Sequence, residues 1–103
     1  MSEFSVSGKT SADGNWYSFE KRRTTNAHGD ISFDPDVIAG SPFTMRLRST
    51  HDGKPVFSDE VFWAAGDVGR KTLATNVIAG TEFTIDARGS PGQTTFNGKL
   101  FTA

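Results

Sequence analysis

Two histidines, His28 and His51, are the side chains whose ordinary pKa lies near neutrality, and each sits in a polar run. These runs are Asn26-Ala27-His28-Gly29-Asp30 and Thr50-His51-Asp52-Gly53. An imidazole beside a carboxylate is the raw material of acid–base or metal chemistry. The paired spacing that zinc motifs need is missing, and a solvated loop position accounts for both residues. The chain has no cysteine, which excludes thiolate nucleophiles, thiolate metal sites and disulfides. No serine lies in Gly-x-Ser-x-Gly, and adjacent carboxylates such as Asp59-Glu60 point apart on an extended backbone. Asp34-Pro35-Asp36 falls far short of the oxygen shell that calcium wants, so it reads as a turn in which Pro35 fixes φ. No catalytic residue, metal site or cofactor is assigned, and the chain is expected not to be an enzyme. A small hydrolase would need His28 and His51 in one pocket with a carboxylate.

Binding chemistry is better represented. Trp16, Tyr17 and Trp63 are the large aromatics with a polar edge, and they stand beside segments rich in Asp, Asn and Ser. A ring exposed next to polar loops can stack on a sugar or anchor a protein partner. The candidate ligand-binding set is Trp63, Tyr17, His51, Asp52, His28 and Asp30. It suggests a non-enzymatic binding module whose leading ligand class is carbohydrate. The alternative is a protein–protein interaction or structural module, such as a small inhibitor or an assembly subunit pairing through an exposed strand edge. A homo-oligomer fits either reading.

The elements that position these residues follow from period-two alternation. In Phe43-Thr44-Met45-Arg46-Leu47-Arg48 the apolar residues point one way and the polar ones the other. In a second stretch Phe83, Ile85 and Ala87 face inward, while Thr84, Asp86 and Arg88 face water. Nine Phe with abundant Thr, Ser and Gly favour strands, and no segment reads well as a helix. The fold class is all-β: an antiparallel β-sandwich or small barrel of about eight to ten short strands. A propeller-like or trefoil-like assembly of repeat units is the competitor.

The repeat behind that competitor is the string Val-Ile-Ala-Gly, found at Val37–Gly40 and again at Val77–Gly80. Around it, copies at 29–64 and 69–103 align with a period of roughly forty residues. A fainter partial copy lies at 3–17. The alignment sets Trp16 beside Val61 and Leu100, which makes it core, and Tyr17 beside Phe62 and Phe101. It sets Trp63 beside Thr102, and that polar counterpart suggests exposure. Functional residues are sought where the copies differ: Trp63 against Thr102, Asp34 and Asp36 against Ala74 and Asn76, and His51 against Pro91. Thr94–Phe101 reads as a hairpin turning at Asn97-Gly98, a type I′ pair, and Pro55–Phe62 as its partner, turning at Ser58-Asp59. Segment 74–89 resembles the corner between consecutive strands of fibronectin-type and immunoglobulin-like sandwiches, a likeness that implies the fold class.

Length and charge bound the rest. The 103 residues make a single domain, 1–103, with 11 basic and 12 acidic side chains and a formal charge of −1. Lys21-Arg22-Arg23 is the one basic run and Glu20 abuts it, so it reads as a solvated strand end and neither nucleic acid nor an anionic membrane is an expected partner. Met1–Ser5 lacks the pattern of a signal peptide, and no apolar run approaches membrane-spanning length.

Overall fold

A computed structural model describes residues 2–64, 66–89 and 92–103, without the side chain of residue 20. Residues 90 and 91 of the loop at 89–92, with the comparison of His51 to Pro91, lie outside the described residues. Nine strands are present among those described: β1 (Ser2–Lys9), β2 (Tyr17–Thr24), β3 (Gly29–Gly40), β4 (Phe43–His51), β5 (Lys54–Phe57), β6 (Val61–Trp63), β7 (Lys71–Val77), β8 (Glu82–Gly89) and β9 (Thr94–Thr102). They form two antiparallel sheets, as the alternation requires. Sheet A runs β1-β9-β3-β7, and sheet B runs β2-β8-β4-β5 with β6 also on β4. The architecture is a β-sandwich.

Its core lies between the inner faces. Phe43, Met45 and Leu47 of β4 and Phe83, Ile85 and Ala87 of β8 meet Ile31, Phe33, Phe96 and Leu100 of sheet A. Aromatic rings run through this layer at tilted and edge-on angles, with Phe43–Phe96 centroids 4.7 Å apart and Phe33–Trp63 at 5.8 Å. Such pairs add about 0.5–1.5 kcal/mol each beyond their buried area.

Three sequence expectations change here. First, Asn97-Gly98 does not turn. β9 is an unbroken strand paired with β1 on one side and β3 on the other. The local turn signal loses to two ladders of hydrogen bonds. Gly98 serves close approach instead: a Cβ there would meet the Asp34 carbonyl oxygen at 2.6 Å and Pro35 Cα at 2.7 Å. Pro35 lies inside β3, where the register shifts, and not in a loop. The type I′ turn falls at Asp52-Gly53, with φ of 52° and 77°, joining β4 to β5.

Second, Pro55–Phe62 is not a hairpin. β5 and β6 both pair antiparallel with β4, so they form one interrupted edge strand. At the break, Ser58 N–H donates to the Leu47 carbonyl at 2.9 Å, and Ser58 Oγ accepts from Leu47 N–H at 2.8 Å.

Third, the two Val-Ile-Ala-Gly strings take opposite faces. Val37 is 52% exposed while Ile38 packs on the core, whereas Val77 packs on the core and Ile78 is 72% exposed. The register shift between Pro35 and Val37 reverses the parity, as a one-residue slip must. Both strings do end in a glycine of positive φ (Gly40 at 98°, Gly80 at 84°) just before the chain crosses from sheet A to sheet B. Beyond those corners the copies diverge. After β4 the chain stays in sheet B, while after β8 it returns to sheet A.

Candidate functional site

The residues picked out from sequence are dispersed. Trp63, taken as an exposed platform, is 0% exposed. It pairs with Phe43 on the inner face, and its indole N–H donates to the Gly69 carbonyl at 2.7 Å. Its counterpart Thr102 is also buried, so polarity in one copy was a poor guide to exposure in the other. The outward residue of β6 is its neighbour Phe62, 50% exposed. Tyr17 is half-exposed at the start of β2, with its ring packed against the edge of Phe19 at 5.0 Å. His51 and Asp52 sit at the exposed tip of the β4–β5 hairpin, Nε2 to Oδ2 3.4 Å apart. His28 is exposed in the bend before β3. Asp30, on β3, accepts a hydrogen bond from Asn76 N–H at 3.2 Å.

Among the described residues, two depressions stand out. One, on sheet A, has a volume of about 490 Å³ and includes Asp30, Arg70 and Phe101. The other, on sheet B, has about 570 Å³ and includes Arg22, Arg48, Thr50, Pro55, Glu82 and Thr84. Neither histidine lines either of them: His28 lies in the β2–β3 connection and His51 ends β4. Among the described residues no group of three His, Asp or Glu stands ready to hold a metal ion.

The richest constellation lies on the outer face of sheet B. Register places Arg46 of β4 directly opposite Asp86 of β8. Arg46 Nε donates to Asp86 Oδ2 at 3.1 Å. The same guanidinium is held between two rings, 4.1 Å from the Trp16 centroid and 4.0 Å from that of Phe57. Arg88 approaches Trp16 at 4.7 Å and donates through Nη2 to Glu60 Oε1 at 3.3 Å. Arg48 donates through Nε to Thr84 Oγ1 at 3.4 Å, and lies 3.8 Å from Asp86 Oδ1, beyond hydrogen-bond reach. Arg22 and Glu82 pair at 3.0 Å along the neighbouring groove.

Two sequence expectations are corrected by this arrangement. Asp86 was expected to face water. It does point away from the core, yet it is only 1% exposed, because the arginine–aromatic layer covers it. Trp16 was expected in the core, but it lies half-buried on the outer face over two arginines. Asp86 Oδ1 and Arg88 Nε are buried without a hydrogen-bond partner among the described residues. Burial lowers the pKa of Arg23, which lies over the Phe4 ring at the side of the sandwich and not on this face.

The chemistry open to this face is recognition. Arg46 is oriented before any partner arrives, and Phe57 and Phe62 stand about half-exposed beside it, at 45% and 50%. The sequence signal was present: Arg46, Arg48, Asp86 and Arg88 all fall on the polar side of the two clearest alternations. What the sequence lacked was the register that sets one strand's polar side against the other's. Compared with known protein families and with curated proteins, the chain matches none.

Proposed function

We propose that this chain is a non-enzymatic protein-interaction module that engages its partner through the outer face of sheet B. The observation that carries the reading is the Trp16–Arg46–Phe57 stack anchored on Asp86 and bordered by exposed Phe62. Trp, Phe and Arg are enriched at protein interfaces, and Trp and Arg dominate their energetic centres. An arginine already immobilised loses less entropy on binding than a free one.

Carbohydrate is the less favoured ligand for physical reasons. Two of the rings of this face, Trp16 and Phe57, already stack on guanidinium groups. The aromatic residue lining the groove is Phe83, which is 3% exposed and belongs to the core. Addition of a strand at either edge of sheet B is also disfavoured. β5 carries Lys54 and Pro55 and is broken at Ser58, while the pairing of β2 shifts register between Phe19 and Arg23. Recognition by a face fits these edges better.

The test is selection of peptides from a random display library on the immobilised chain, followed by measured affinities for variants. Phe62→Ser should weaken the selected peptides by at least about tenfold, the signature of an interface hot spot. His51→Ala should leave them unchanged. Peptides indifferent to Phe62, or millimolar-range sugar binding on a glycan array, would overturn the reading.

A further inference from the structure

The outer face of sheet A differs in charge from that of sheet B. Lys99 is ion-paired with Glu3 at 3.0 Å and stands directly opposite Asp34 in the ladder. The ladder pairs Pro35 with Gly98 and Val37 with Asn97, which leaves Asp36 in the bulge between them, next along the strand from Asp34. Glu3, by hydrogen bond and charge, and then Asp36 and Asp34, by charge, raise the Lys99 pKa above the ordinary lysine value. That cluster carries three negative charges against one positive. Val37, 52% exposed, lies beside it on the same strand. On sheet B the four guanidinium groups of Arg22, Arg46, Arg48 and Arg88 outnumber the described carboxylates Glu60, Glu82 and Asp86. Phe57 and Phe62 supply apolar contact there. Toward β7 sheet A also carries Arg70 over the Phe101 ring, so its acidic patch is the region of Lys99 and Val37, while sheet B offers arginines around two phenylalanines.

Resting on the reading of sheet B as the recognition face, we infer that one partner is a second copy of this chain, docked by its sheet A carboxylate face onto the sheet B arginine–aromatic face. The two surfaces belong to opposite sides of one sandwich, so the contact is heterologous. Each copy added leaves a fresh acceptor face and a fresh donor face, and the assembly is open-ended rather than a closed dimer. Complementary potentials give such a contact its register and its sensitivity to salt.

Sedimentation equilibrium on the full chain tests this. At about 20 mM salt the weight-average mass should rise at least about twofold above the 11.1 kDa monomer as concentration climbs from ~10 μM to ~1 mM, and at about 0.5 M salt it should fall back toward the monomer. Phe62→Glu spoils only the sheet B face and Asp36→Lys only the sheet A face, at positions exposed enough to leave folding intact. Each alone should remain monomeric. Mixed, they should form a one-to-one species of twice the monomer mass and stop, because one intact face of each kind is left to meet. A chain that stays monomeric at every concentration and salt overturns the inference, as does a discrete symmetric dimer. Assembly that persists in both single variants overturns it too. If the chain is monomeric yet selected peptides still depend on Phe62, self-association alone fails. If peptides are indifferent to Phe62, the reading of the face itself fails.

Discussion

The two outer faces of this sandwich solve the same problem in different ways. On sheet A the outward positions in the middle of β1 and β9 are short polar residues (Ser5, Ser7, Thr95, Asn97), which stay exposed beside the Glu3–Lys99 ion pair and the Arg70–Phe101 stack. On sheet B the outward positions are arginines and aromatics that cover one another and bury a carboxylate nearly completely. A sheet needs only one apolar face to fold. The second organised layer outside the core is the feature on which the proposed recognition role rests.

The contrast can be broken at graded cost. The largest effect should come from Asp86→Ala, which leaves Arg46 without its buried counter-charge. Arg46 is partly hydrated, so the loss should be about 2 kcal/mol, short of that for a fully buried pair. Urea unfolding measures it, and Asn97→Ala on the opposite face should cost less than about 0.5 kcal/mol. Next is Gly98→Ala, where the new Cβ has no room against Asp34 and Pro35. Forcing β3 away from β9 should cost about 1.5 kcal/mol, read in the same assay. Trp16→Ala removes the ring from two guanidinium groups and should cost about 1 kcal/mol, with a loss of near-ultraviolet ellipticity. Phe62→Ser should change stability by no more than about 0.5 kcal/mol. That small cost beside a large loss of binding would separate recognition from folding.

Much of this fold can be read from the sequence, because alternation is local. Phe43–Arg48 and Phe83–Arg88 announce half-buried strands, and the sandwich follows from having many of them. Pairing is not local. Nothing within β4 or β8 says that Arg46 will meet Asp86, so the outer cluster stayed hidden although its members were already placed on the polar side. Asn97-Gly98 misleads for a related reason: its turn preference is real, but β1 and β3 offer the same residues two ladders. Trp63 misleads because its counterpart Thr102 is polar and nevertheless buried. Its neighbour Phe62, one position away, has the opposite parity and the exposure that was sought.

The outer face of sheet B is proposed as the surface that meets a partner. The most direct measurement is amide chemical-shift mapping of the isotope-labelled chain, dilute enough to be monomeric, titrated with a peptide selected against it. Shifts should concentrate at Thr44, Arg46, Arg48, Thr84, Asp86 and Arg88, with Phe57 and Phe62 alongside. Shifts centred instead on Ser5, Ser7, Asn97 and Lys99, or on the hairpin tip at His51 and Asp52, would contradict it.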